Sequence, residues 1–275
     1  MIHWNASPEI IHLGFLSIRW YGLLFAIAFW FGHYFTRKFF TFEKIPVEYV
    51  DPLLIYMVVG TIVGARLGHC LFYEPEIYLA DPIRILKVWE GGLASHGAFV
   101  GIITGIFLFV RKYKVLSFLG VLDRIITPIS LGCGLIRIGN LFNSEIIGRP
   151  ATVPWAFVFE RVDQVPRHPT QLYEAIGYLS LFALLYFMYW KPQIRNRTGL
   201  LLGIFLVLSC SWRAFVEIFK ENQVAFENHL ALNMGQLLSL PIIAIGAFLI
   251  VRAYRNPMVN ESPAARSNSN SKSKK

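Results

Sequence analysis

Seven apolar runs, each about as long as a bilayer-spanning helix, constrain this chain more than any other feature. They are Ile18–Thr36, Tyr49–Phe72, Leu93–Val110, Val121–Arg137, Gln171–Trp190, Gly199–Phe219 and Gly235–Val251. In a bilayer core every backbone polar group must be satisfied within the protein, so runs of this length become helices. Only 16% of the 275 residues are charged and 55% are hydrophobic, whereas soluble domains run near a quarter charged. The expectation is an all-α polytopic membrane protein of about seven transmembrane helices.

The net charge of +9 does not point to nucleic acid, because the basic residues sit in alternate loops. Arg37, Lys38 and Lys44 follow the first run; Arg111, Lys112 and Lys114 follow the third. Lys191, Arg195 and Arg197 follow the fifth, and Arg252, Arg255, Lys272, Lys274 and Lys275 the seventh. Such loops face the cytoplasm, which predicts an outside N-terminus and a cytoplasmic C-terminus. Residues 1–255 then form one transmembrane domain and 256–275, rich in Ser, Asn and Lys, a disordered tail. Met1–Ser17 lacks a basic n-region and cleavage site, so no signal peptide is expected there; its apolar residues suit the outer interface. Residues 141–169 are expected to form a small outward cap between the fourth and fifth helices, with strand-like residues over Val153–Phe159. Cys70, Cys133 and Cys210 lie in or beside apolar runs without a C-x-x-C spacing and read as small buried hydrophobes. No cluster has metal-ligand spacing, so neither metal nor cofactor is expected.

One stretch is unsuited to mere spanning. Gly132–Arg149 carries Arg137, Asn140, Asn143, Glu145 and Arg149, spaced by Gly132, Gly134, Gly139 and Gly148. A membrane-embedded arginine costs about 2.5–3.5 kcal/mol on insertion scales, and each glycine weakens a helix by roughly 1 kcal/mol. Other polar residues share its side. Tyr21, Arg66, His96, Tyr173, Glu174, Arg213, Glu217 and Gln236 all fall in the outward half or at the outward end of their spans. Each has a bland alternative: an interfacial belt for Trp20 and Tyr21, snorkelling for Arg66, a satisfied interior donor for His96, a self-neutralising pair for Arg213 and Glu217. Packing residues would not sort by leaflet, whereas one outward-opening pocket explains the sorting. Arg66, Arg137 and Arg213 make that pocket positive, suited to an anionic ligand, and the anions at that depth are phospholipid headgroups. By contrast, the Gly60/Gly64/Gly68 and Gly97/Gly101/Gly105 ridges read as helix-packing seams.

These residues also resemble a family. Arg137-Ile-Gly-Asn140-x-x-Asn143-x-Glu145-x-x-Gly148-Arg149 is similar to the signature of the prolipoprotein diacylglyceryl transferases. Six further pieces follow the same pattern in order: Arg19-Trp-Tyr-Gly22, Gly64-Ala-Arg-x-Gly68, Gly91-Gly-Leu-x-Ser-His-Gly97, Arg167-His-Pro-x-Gln-Leu-Tyr-Glu174, Arg213-x-x-x-Glu217 and Met234-Gly-Gln-x-Leu-Ser239. The resemblance spans roughly residues 18–250. It departs where the family often carries a tyrosine four residues before the sixth-span arginine; Ser209 stands there. Ala94 and Ile147 also replace larger residues.

The resemblance implies an enzyme of the bacterial cytoplasmic (inner) membrane in lipoprotein biosynthesis. Its substrates would be phosphatidylglycerol and a prolipoprotein signal peptide with a lipobox cysteine. The diacylglyceryl group moves to the thiol, a thioether forms and glycerol 1-phosphate leaves. The implied positions are Tyr21, His96, Arg137, Asn140, Glu145, Gly148, Arg213 and Glu217, to which the depth argument adds Arg66. A thiol near pKa 8.5 needs deprotonation, for which His96 is the candidate base. Arg137 and Arg213 suit the leaving phosphate, Asn140 its oxygens, and Glu145 and Glu217 the orientation of arginines. The alternative from the residues is an outward-facing anionic-lipid transporter or flippase. That function calls for an inward polar counterpart or paired repeats, and the sequence carries neither.

Overall fold

In a computed structural model, residues 1–13, 16–87, 91–221 and 233–258 are described. The apolar runs become seven long helices: α1 (Trp20–Phe42), α2 (Val50–Phe72), α4 (Ser95–Tyr113), α5 (Phe118–Asn143), α6 (Thr170–Tyr189), α8 (Leu200–Val216) and α9 (Met234–Arg255). Two short helices, α3 (Pro75–Ala80) and α7 (Pro192–Arg195), lie in connections. Five helical segments, those containing α2, α5, α6, α8 and α9, are long and apolar enough to cross a membrane by length and composition. The other two long helices, α1 and α4, are diluted by His33, Arg37 and Lys38 and by Ser95, His96, Arg111 and Lys112. The expected mostly helical polytopic architecture is therefore what the chain forms. Most of the tail expected to be disordered, and Glu90 in the connection before α4, lie outside the described residues.

The largest departure from the expected spans is in α5. The fourth run was delimited at Arg137, but the helix continues to Asn143. Its glycines are contact points rather than breaks. A Cβ on Gly134 would lie 2.8 Å from Leu179 Cδ2, and one on Gly139 2.9 Å from Tyr21 Cδ2. Packing against neighbours outweighs the roughly 1 kcal/mol that a glycine costs a helix.

The residues fall into two compact units, the division passing within α1 after Phe35 and within α5 after Val121. The first unit comprises Met1–Phe35 and the chain from Leu122 onward. At one end of it, buried Asp123 accepts hydrogen bonds from the backbone N–H groups of Gly199 (2.5 Å) and Leu202 (2.8 Å). A carboxylate there satisfies the orphan donors and favourable dipole at the start of α8. The start of α9 is closed by a capping box between Asn233 and Gln236, and Gln236 Nε2 donates to Ala214 O of α8 at 3.2 Å.

At the other end the unit carries strands. Met1–Ser17 does not merely lie along an interface: β1 (Ile2–Trp4) pairs in parallel with β4 (Phe157–Phe159), which pairs antiparallel with β5 (Pro166–Arg167). A separate hairpin joins β2 (Glu9–Leu13) to β3 (Leu16–Arg19). The strand expected over Val153–Phe159 is confined to its last three residues. Leu141, Phe157 and Phe159 are buried beneath this sheet, with Trp4, Ile147 and Leu172 packed against them. Trp4 Nε1 donates to Leu141 O at 3.0 Å, and Trp20 stacks on Phe142 at 4.7 Å. The N-terminal segment thus fixes the end of α5.

The second unit, Thr36–Val121, is built on α2 against α4. The two glycine ridges meet: a Cβ on Gly101 would lie 1.9 Å from Gly60 O, and one on Gly64 2.3 Å from Gly97 O. Only hydrogen side chains permit backbones that close.

Candidate active site

The C-terminal end of α5 passes into a loop whose backbone is unusual. Ser144 and Ile146 have positive φ, 55° and 57°, and for a β-branched residue such as Ile146 that region is disfavoured. The start of α6 holds it there. Thr170 Oγ1 donates to Ile146 O at 2.7 Å and Gln171 Nε2 to Glu145 O at 2.6 Å; both residues are fully buried. Gly148 then enters a space with no room for a side chain. Its Cβ would meet His168 O at 2.5 Å and Phe219 O at 2.8 Å. The close approach lets Gly148 pair with Lys220 in an antiparallel bridge, while Arg149 N donates to Phe219 O at 2.8 Å and Arg149 Nε to Lys220 O at 2.7 Å. The signature loop is therefore clasped between the start of α6 and the segment after α8.

Around this clasp the first unit collects charge. Arg137 Nε lies 2.9 Å from Glu174 Oε2, and Arg137 Nη1 donates to Asn140 Oδ1 at 3.2 Å. That contact turns the amide of Asn140 so that Nδ2 remains a donor. Glu174, 1% exposed at its side chain, accepts a hydrogen bond from Lys220 Nζ at 3.0 Å. Lys220 Nζ also donates to Glu217 Oε2 at 3.1 Å. Glu174 and Lys220 balance one another as buried charges must. Glu174 was among the residues assigned to the pocket, though without a role, and lies in the Arg167–Glu174 motif; Lys220 was not, and had no sequence signal beyond its place at the end of an apolar run.

Tyr21 packs over Gly139, and its hydroxyl is within electrostatic reach of Glu145 and Arg137. Tyr178, from the next turn of α6, is within electrostatic reach of both Arg137 and Arg213. Arg213 forms no ion pair with a described residue: Glu217, four positions on, is paired with Lys220 instead. Glu145 accepts from Asn143 Nδ2 rather than from an arginine. Ser209, where a tyrosine was looked for, is buried on α8 and donates to Leu206 O at 3.5 Å.

The charges beside β5 are neutralised separately. Arg167 forks onto Asp163, with Nη2 2.6 Å from Oδ2, and reaches Glu221 Oε2 at 2.9 Å. The hydrogen bond from Arg167 holds the Asp163 carboxyl below its usual range. His168 Nδ1 lies 3.0 Å from the Tyr173 hydroxyl, and burial pushes its imidazole below the usual 6.5.

Arg66 and His96 belong to the second unit. Arg66 is 2% exposed, and its guanidinium is spent on backbone. Nε donates to Ile85 O (3.0 Å), Nη2 to Arg84 O (2.6 Å), and Nη1 to Gly91 O and, at 3.4 Å, to Gly92 O. Tyr78 covers its face at 4.9 Å. These carbonyls account for the buried charge without a ligand, so Arg66 organises the loop before α4. His96 is the second residue of α4 and is exposed, and its imidazole has no hydrogen bond to a described residue. Among the described residues, no group of three or more His, Cys, Asp or Glu could hold a metal ion.

Comparison with known proteins places this arrangement. Residues 8–252 match the family model for prolipoprotein diacylglyceryl transferase. Proteins named phosphatidylglycerol–prolipoprotein diacylglyceryl transferase are similar along nearly their whole length. The one from Chloroherpeton thalassium is 48% identical over 95% of this chain and 97% of its own. Those from Tolumonas auensis and Porphyromonas gingivalis are 46% and 44% identical, over 91% and 94% of this chain and 97% of their own. With a family model covering so much of its length, the chain belongs to the prolipoprotein diacylglyceryl transferase family and is a multi-pass membrane protein.

Proposed function

We infer that this chain transfers the diacylglyceryl group of phosphatidylglycerol to the lipobox cysteine of a prolipoprotein, in the bacterial cytoplasmic membrane and with its site toward the outer leaflet. The observation that carries the reading is the pair of arginines. Arg137 is gripped through Nε and one terminal nitrogen, while Arg213 has no carboxylate among the described residues. Guanidiniums suit a phosphate, which they bind through planar N–H donors.

In this reading the substrate thiol loses its proton to a base, for which His96 is the candidate the family resemblance supplies, and the sulfur attacks the diacylglyceryl carbon bonded to the phosphate oxygen. A carbon–sulfur bond forms, the carbon–oxygen bond breaks, and its electron pair leaves with glycerol 1-phosphate. Charge grows on that phosphate, and Arg137 and Arg213 stabilise it most in the transition state. Asn140 Nδ2 adds a donor, Tyr21 lines the site beside Arg137, and Glu217 fixes its surroundings through Lys220. Gly148 serves by its lack of a side chain. The nucleophile arrives with the substrate, so the protein's own cysteines take no part.

Purified protein in nanodiscs, given phosphatidylglycerol and a lipobox peptide, should yield diacylglyceryl-peptide and glycerol phosphate in equal amounts. Lipid movement without thioether formation would overturn the reading in favour of a transporter. The orientation rests on the alternating basic loops. Reporter fusions at Lys114 and Gln164 are expected to read inside and outside; both on one side would sink it.

A further inference from the structure

We propose that Lys220 is a positioning residue for the phosphate-binding arginine, acting through Glu174. The proposal rests on the transferase reading and names a residue outside its candidate set. Glu174 is buried, and its Oε2 has Arg137 Nε at 2.9 Å but no aligned hydrogen-bond donor. Among the described residues, the aligned donor to this carboxylate is Lys220 Nζ, at Oε1. A carboxylate pivots about its last bond unless a directional contact stops it. Lys220 therefore sets the plane of Glu174, and Glu174 sets the azimuth of Arg137 about its Nε. With Nε against Glu174 and Nη1 on Asn140, Nη2 is the nitrogen left to a ligand.

Lys220 is itself held at both ends. Its ammonium is shared with Glu217, and its backbone is held by Arg149 Nε and by the bridge to Gly148. The glycine of the signature loop and the arginine of the same signature are thus joined twice: along the chain through α5, and across space through Lys220 and Glu174. The four charges Arg137, Glu174, Lys220 and Glu217 sum to zero, so the cluster supplies alignment while Arg213 is left to offset the ligand's negative charge.

The test is steady-state transfer by purified full-length variants in nanodiscs, with melting temperature measured alongside. Lys220→Met is expected to raise the KM for phosphatidylglycerol and lower kcat/KM for it by about ten- to a hundredfold, the range of one lost charged hydrogen bond. The KM for the peptide should stay within about twofold, since Arg137 faces the lipid, and Lys220→Arg should recover most of the loss by keeping a cationic donor. Glu174→Gln combined with Lys220→Met removes one buried anion and one buried cation, so it is expected to fold even where Lys220→Met alone does not. It should remain impaired, because Arg137 has lost its anchor. Near wild-type kcat/KM in folded Lys220→Met, or in the folded double variant, would overturn the proposal while leaving the transferase reading intact. Absence of transfer by the wild-type protein would instead remove that reading.

Discussion

Lys220 Nζ lies 3.1 Å from Glu217 Oε2, and this contact takes Glu217 away from Arg213. A self-neutralising i,i+4 pair was the bland alternative for Arg213 and Glu217; with that carboxylate engaged elsewhere, Arg213 has no ion pair to lose among the described residues. Arg213→Ala should therefore change stability by no more than about 0.5 kcal/mol, as for a side chain without specific partners, yet cut kcat/KM for the donor lipid at least about tenfold. Arg137→Ala should lower both, since it strips a cation from buried Glu174, at a cost of about 3–5 kcal/mol for a broken buried pair. Thermal unfolding and turnover of the two variants check the contrast; equal destabilisation would contradict it.

Gly148 and Gly32 make opposite predictions for the same substitution. A Cβ at Gly148 would meet the backbone oxygens of His168 and Phe219, so Gly148→Ala must part the clasp between the signature loop and Lys220. Loss of transfer and a lower melting temperature are expected. At Gly32, within α1, a Cβ meets nothing within 4 Å. There alanine should be neutral or stabilising by up to about 1 kcal/mol. A tolerated Gly148→Ala would show that the clasp can open without consequence.

Acid should loosen the cap in two stages. His168 has a folded-state pKa below its usual 6.5, so the unfolded chain takes up the proton first. Its contribution is full above about pH 6.5 and falls as pH drops through the lower folded value. Asp163, held below 3.8 by Arg167, contributes in the same direction at lower pH: its share is present above 3.8 and lost as pH falls through the depressed value. His168→Gln should flatten the decline in melting temperature just below pH 6.5, and Asp163→Asn the decline near and below 3.8. An unchanged slope in either variant would rule out that residue as the source.

The three thiols are free, and the proposed chemistry uses none of them. Joint replacement of Cys70, Cys133 and Cys210 by alanine should leave transfer within a few-fold of wild type in protein that still folds. Loss of turnover restored by one returned thiol would point to a covalent intermediate on the enzyme.

What could be read from the residues divides along a physical line. Apolar length is a local property, so all seven long helices were legible, as were Arg137, Asn140 and Arg213 as polar groups where burial is costly. The end of α5 was misplaced because Gly134 and Gly139 read locally as weak points; their use as sockets for Leu179 and Tyr21 is a tertiary fact. The pairing of β1 with β4 joins Ile2 to Phe157, and no local pattern encodes a partner so distant. Lys220 was missed for a related reason. Its value comes from two carboxylates on other turns and from a backbone approach that Gly148 permits. Arg66 was legible as a buried cation but not as one surrounded by carbonyls, since backbone acceptors leave no mark on sequence.

The most direct test of the account is Arg137→Lys, which keeps the net charge and removes the planar fork. Lysine offers one nitrogen where Arg137 now contacts Glu174 and Asn140 through two, with the third left for the phosphate. The measurement is initial rate against phosphatidylglycerol concentration in nanodiscs, at fixed peptide, for wild type and variant. The account predicts a loss in kcat/KM of about tenfold to over a hundredfold in folded protein. Near wild-type turnover by Arg137→Lys would contradict it, showing that charge alone suffices and that Arg137 is no phosphate clamp.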